Sequence, residues 1–453
     1  MKITPSCQRG NALLAGLIIA SILGATLASY LVLVSNQNAS ITRAQSWNLA
    51  VPVAEAGIDE ALAHLNYNTN RNSSGWAPSS PFDYLKTNAF SDGSSNYYVV
   101  GISNLAAPVI VARGFVPAIN SAGFISRTLR VTTKKNGVYQ MAMLAKGSID
   151  LNGNKVMTDS YDSTDPNHSN NGKYPTGQKA KIRDNGDIGT NAGLVDVLDL
   201  GNANIFGKAA TGPGGSLDVG ANGLVGSSQF QTNATYREAH QDPAHSHVEA
   251  GYFTDDMNVD IPDVHLPPDW PSTVASMPVG GTVDGVTYNY VLYGGNYQLT
   301  SFSGKLLVLG NATLLVTSSF SMSGNSDVIM VTNNASLKLY VAAPTATISG
   351  QGMVNGTGSP TNLFYYGLPS NTSIDFTGNG TFTGVIYAPS AALSLKGGGN
   401  SAEDFCGASV TKTAKMNGNF NFHYDESLGR INTGGIHRVI SWNEVPNPAS
   451  ASL

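Results

Sequence analysis

Charge is scarce in this sequence. Only 12% of its 453 residues are Asp, Glu, Lys or Arg, about half the usual share, and that argues against an architecture of solvated, ion-paired helices. Cysteine is scarcer still. The two present, Cys7 and Cys406, cannot form a disulfide framework, and if the first ten residues are removed Cys406 is left without an intramolecular partner, as a buried apolar thiol. A basic surface is also missing: the formal charge is -5 and the pI about 5.9, so nucleic acid is not an expected partner. No G-x-S-x-G, Walker or dinucleotide fingerprint occurs. Gly212, Gly214 and Gly215 surround Pro213 and no helical pattern follows them, so no enzyme activity and no cofactor is expected.

What is abundant is glycine, at 50 residues, together with Asn, Ser and Thr, a composition suited to short strands and tight turns. The exception is the amino-terminal region. After a basic leader, residues 1–10, the chain runs from Asn11 to Thr42 without a charged side chain, and no A-x-A site follows the apolar core, so the segment is expected to stay in the mature protein. Roughly 24 apolar residues at about 1.5 Å each span a hydrocarbon core of about 30 Å. Lys2 and Arg9 would hold the amino end in the cytoplasm. Beyond Ser35 the pattern turns amphipathic, with Ile41, Ala44, Val51, Ala54, Ile58, Leu62 and Leu65 recurring every three or four residues. The sequence therefore predicts one helix over 11–66, membrane-type over 11–35 and amphipathic over 36–66, kinked at Pro52. Ala12, Gly16, Ala20, Gly24 and Ala28 form a small-residue stripe suited to close helix packing.

These residues carry a resemblance. Arg9-Gly10 before a long uncleaved apolar helix that ends in AEAGIDEALAHLN, residues 54–66, resembles the prepilin amino terminus of the PilX-type minor pilins of type IV pili. The resemblance implies cleavage by a prepilin peptidase between Gly10 and Asn11, methylation of the new amine, and packing of the helix against other pilins. It departs from the family pattern at Asn11, where an apolar residue is common, and at Ala15, where major pilins carry Glu. A subunit without that carboxylate cannot offset the buried terminal amine of a neighbour, which places this chain at or near a filament tip.

After the helix, the runs Tyr97–Ser103, 109–116 and 125–133 alternate as strands, predicting a small antiparallel β head over 67–138, with 67–96 as a polar loop. From about residue 139 the dominant signal is repetition: short strands end in Gly-Asn or Asn-Gly, and the apolar pairs Leu306/Val308, Leu314/Val316, Phe320/Met322, Val328/Met330, Leu337/Leu339 and Ala346/Ile348 lie about eight residues apart. Three such pairs per coil give a three-faced parallel β-solenoid, with a β-sandwich as the alternative. The parts are assigned to 139–232 and 282–428, separated by a Pro/His/Asp-rich excursion over 233–281 and followed by a tail over 429–453. FTGVIYAPSAALSLKGGG, DFCGASVTK, MNGNFNFHYDESL and VISWNEV resemble a β-solenoid domain often found behind PilX-type amino termini. The predicted whole is an α+β pilin-like unit followed by a mainly-β parallel solenoid.

Three clusters could carry chemistry. His240, Asp242, His245 and His247 offer imidazole and carboxylate but no zincin spacing, and are assigned to a solvated loop. Asp159, Asp162 and Asp165, followed by Lys179, Lys181 and Arg183, are what a lyase on this fold would draw on for calcium and proton abstraction; an acidic loop and a solvated strand is the simpler reading. His423, Tyr424, Asp425 and Glu426 alternate faces on a strand and are assigned to capping the solenoid end. The expected role is a minor pilin-like subunit, stored in the bacterial inner membrane and then displayed on an extracellular filament, whose solenoid serves assembly, adhesion or the binding of a glycan or protein. A type II secretion pseudopilin or an anchored polysaccharide-active enzyme are the alternatives.

Overall fold

The computed structural model describes residues 9–67, 74–105, 107–118, 123–135, 137–153, 156–267, 270, 276–377, 380–398, 404–431 and 437–445. Leader residues 1–8, including Cys7, lie outside the described residues. The chain divides into one unit of residues 1–135 and 436–453 and a second of 136–435.

The first unit is built on a single helix, Arg9–Tyr67, that continues through Pro52. Its first half is long and apolar enough to cross a membrane, and no other element covers it: Leu13 is 79% and Leu23 62% exposed. From Ala50 onward one face is covered. Ala50, Val53, Ala54, Ile58, Ala61 and Leu65 pack on Val100, Ile102, Ile110, Ala112, Leu129 and Val131 of an antiparallel sheet. The amphipathic stripe thus begins later than its spacing suggests, since Ile41 is exposed.

That sheet has six strands, not three. Ala77–Ser79 and Phe82–Ala89 lie in what reads as a polar loop, because Phe82–Ala89 mixes Tyr84 and Leu85 with Asp, Lys, Thr and Asn and none of its residues is fully buried. The sixth strand, His437–Val445, comes from the predicted tail and pairs antiparallel with Phe124–Lys135. VISWNEV therefore belongs to the head and not to the solenoid it was grouped with. Sequence order hides this, because 301 residues from Lys135 to His437 separate two strands that are neighbours in register.

Sheet and helix approach most closely at Gly114, where a Cβ would stand 2.3 Å from the Ala50 carbonyl oxygen and 2.6 Å from the Ala54 nitrogen. Backbone cannot give way as a side chain can, so Gly114→Ala is expected to cost about 3 kcal/mol through overpacking. Thermal unfolding of the first unit, followed by protease resistance of its sheet, checks this.

The second unit is a large β-rich part in which parallel strands run in three ladders. One passes through Tyr290, Leu306, Ile329, Met353, Phe382, Phe405, Phe422, Thr158, Ile205 and Val225. A second passes through Leu314, Leu339, Tyr365, Ile386, Ser409, Met143, Ile188, Ala209 and Phe253. The third runs from Phe302 through Phe320, Ala346, Ile374, Leu393, Ala414, Ile149 and Leu198 to Leu217. The residues facing inward form one apolar core. Five of the six expected pairs are buried there, but at the sixth it is Ile329 and Val331 that face inward, not Val328 and Met330; a one-residue offset on a strand exchanges its faces.

The order of the ladders is not the order of the chain. The chain enters in the middle of the stack at Met143–Ala145, proceeds to one end at Phe253–Thr254, crosses to the other end, and works back from Val279–Val283 until Phe405–Asn419 and Asn421–Asp425 meet the strands it started from. The Pro/His/Asp-rich segment makes the crossing, but only from residue 255 on; Ala234–His240 is a helix, and Phe253–Thr254 still pairs with Ala209–Ala210. Along its path the Met257 amide donates to the Thr211 carbonyl at 2.8 Å, Val259 is bracketed by the Asn191 side chain, and the Tyr387 hydroxyl donates to the Pro262 carbonyl at 2.6 Å. Met257, Ile261 and Val264 bury their side chains against the ladders. Tyr387→Phe removes one such tie, with an expected loss of about 1 kcal/mol and faster protease nicking within 255–267, read by mass of the fragments.

Candidate functional site

Two features stand apart from packed core: the bare apolar half of the helix and a polar joint in the second unit. On the helix, Ala12, Gly16, Ala20, Gly24 and Ala28 lie on the exposed surface, and a Cβ at Gly16 or Gly24 would meet nothing within 4 Å. The stripe is open for a neighbouring surface. Gly10 and Asn11 sit within the first turn of the helix as described.

The joint is where the last strands meet the first. Asn421–Asp425 pairs with Phe405–Asn419 on one side and with Met157–Tyr161 on the other. His423, Tyr424, Asp425 and Glu426 therefore do not cap an end; they lie inside the stack. Sequence position misled here because the end of the repeat in the chain is its middle in space.

Tyr424 points inward and its hydroxyl donates to the Tyr139 carbonyl at 2.7 Å. His423 and Asp425 point the other way, as strand alternation requires, yet both are fully covered. His423 Nδ1 meets Asp159 Oδ1 at 2.5 Å, the Tyr174 hydroxyl donates to Asp159 Oδ2 at 2.7 Å, and the Tyr174 ring stacks on the imidazole at 3.6 Å. Cys406 pairs in register with His423 and is buried beside Tyr161 and Tyr174.

Further along, Glu426 accepts from Ser160 Oγ and Asn185 Nδ2 and pairs with Arg183 at 3.1 Å. Arg430 donates to both oxygens of Asp162, at 2.7 and 2.9 Å. Asp425 Oδ1 accepts the amides of Ser163 and Ser427, each at 3.0 Å, while its Oδ2 has no hydrogen-bond partner.

Burial pushes the Asp425 carboxyl above the ordinary carboxylate range, only partly offset by its hydrogen bonds. Burial raises Asp187 in the same way. At Asp162 burial again acts upward, but Arg430 and Thr164 outweigh it and the group ends below its usual value.

The acidic and basic residues singled out from sequence are thus consumed within the chain. Asp159 and Asp162 serve the joint, Asp165 accepts the Asn167 amide in a turn, and Lys181 donates to the Pro166 and Ser169 carbonyls. Lys179 stands on a short 3-10 turn, and Arg183 meets Glu426. They do not assemble a lyase-type set. In the histidine-rich loop, Asp242 accepts the amides of Ala244 and His245, and the His240 ring stacks on Tyr236. Among the described residues no three His, Cys, Asp or Glu side chains are placed to hold a metal ion.

An open groove of about 480 Å³ also lies on the outer side of the first ladder, lined by Leu309, Met330, Val354 and the Thr332–Asn334 turn. It has no charged side chain in its lining.

Sequence comparison finds no match among curated proteins or solved structures. Residues 281–431 are similar to a family described as a domain of unknown function, DUF7305. The matched stretch starts in the strand Val279–Val283 and ends just past the joint, so it contains His423 and Asp425 but not their partners Asp159 and Ser163.

Proposed function

We propose that this chain is a minor pilin-like subunit of a type IV pilus or related filament, held at or near the tip, that displays its second unit for assembly, adhesion or partner binding. The observation that carries the reading is the division of one helix into two halves of opposite character: a bare apolar half, and a half whose stripe is sealed by an antiparallel sheet. An exposed apolar surface of that length requires lipid or protein around it. The small-residue stripe gives such neighbours a close approach, and the leader ending in Arg9-Gly10 supplies the processing site. On this reading the inner membrane holds the chain before assembly and other pilins hold it afterwards.

The second unit is, in this proposal, a parallel β-solenoid. Three ladders of parallel strands around one apolar core support it. Ala15 in place of Glu supports a terminal position.

Immunogold labelling of the second unit on gently sheared filaments tests the proposal. Label at filament ends is expected. Label spread along the shaft contradicts the tip placement, and filaments without label overturn the filament role.

A further inference from the structure

At the joint, on the face turned away from the apolar core, segments 264 to 268 residues apart in sequence are tied by His423 with Asp159, Glu426 with Ser160, and Arg430 with Asp162. Buried polar contacts of this kind specify a register better than they add stability.

We propose that this joint is a pH-released clasp, in which ionisation of Asp425 loosens the Glu426–Arg430 turn from Asp162–Thr164 while the strands of the ladders stay paired. The inference does not depend on the filament reading. Asp425 is fully buried; its Oδ1 accepts the two amides in either protonation state, but its Oδ2 finds no donor. A charge there has nothing to complete its solvation.

Arg430 feels the charge of Asp425 through space, but none of the charged and titratable groups around it donates a hydrogen bond to that oxygen. On its own strand and the following turn are His423, which meets Asp159, Glu426, which faces Arg183, and Arg430, which spends its hydrogen bonds on Asp162 and Thr164. From the first strands Tyr161 stands opposite, and the half-buried Asp187 feels the charge of Glu426 while its carboxyl accepts the Lys208 amide.

The direction follows. A carboxyl raised in the folded state contributes stability that is complete below its unfolded value and is lost as pH rises through the folded value. Asp425 therefore loosens the clasp as pH rises through its raised folded value. Asp162, depressed, acts oppositely and secures the clasp until strongly acid pH. The clasp is tightest in the acid range between them.

Hydrogen exchange of the full chain in detergent, read by mass spectrometry from pH 4 to 8.5 and corrected for intrinsic exchange, tests this. Protection of the 426–431 peptide is expected to fall at least tenfold relative to the Ser336–Val341 strand as pH rises, and Asp425→Asn is expected to flatten that fall while keeping the amide contacts. Parallel change in both peptides overturns the proposal, as does a variant with the wild-type slope. If Asp425→Asn does not fold, the wild-type difference between the two peptides still decides.

Discussion

Placing two charges in the bare half of the helix, Ile19→Lys with Leu23→Asp, is expected to abolish membrane retention. Both side chains are more than half exposed and neither belongs to the sheet-packed cluster, so the substitutions leave that half intact. A charged residue near the centre of a membrane helix costs about 2.5 to 3.5 kcal/mol on insertion scales, and two together come to about 6 kcal/mol, although Lys and Asp four residues apart recover a few tenths through pairing. Fractionation should then find the chain in the soluble or degraded pool, with the second unit still protease-resistant. The same pair placed at Arg43 and Trp47, outside the apolar run, should leave retention unchanged.

His423→Ala is expected to destabilise the second unit by about 3 to 5 kcal/mol, the range for emptying a buried ring's site and leaving its polar partner unsatisfied. The cost arises because Asp159 stays buried, with only the Tyr174 hydroxyl left to it among the contacts described above. Removing both partners, as His423→Met with Asp159→Leu, should cost less than His423→Ala alone, since no uncompensated carboxylate remains. Calorimetry of wild type, the single variant and the pair measures this coupling directly. Equal losses in the single and paired variants would show that His423 matters by its packing on Tyr174 and not by its bond to Asp159.

Much of the organisation was readable from residues alone because it is local. The apolar run, the three central head strands and most of the inward pairs depend on spacing within a few residues. What escaped depends on long-range pairing. His437–Val445 has the alternation of a strand, but nothing near it says that its partner lies at Phe124–Lys135. The HYDE cluster has the look of a terminus because the Gly-Asn repeat stops there, and only the pairing of Asn421 with Met157 and of Asp425 with Tyr161 turns it into an internal joint. Asp159 and Asp162 on one segment and His423 on the other were legible as parts of clusters but not as partners, and Arg430 was not singled out at all. Two aspartates on either side of Ser160-Tyr161, and a His-Tyr-Asp run at the far end, were the available signal. The Val328/Met330 misreading has a smaller cause: four consecutive apolar residues carry no alternation to fix a face.

The account rests on one helix that leaves lipid for protein neighbours after its leader is cut. Mass spectrometry of the amino terminus of the cell-envelope protein tests this most directly. The account predicts a chain that begins at Asn11 with a methylated amine. A mature chain that begins beyond Ser35, with the apolar segment gone, would contradict it.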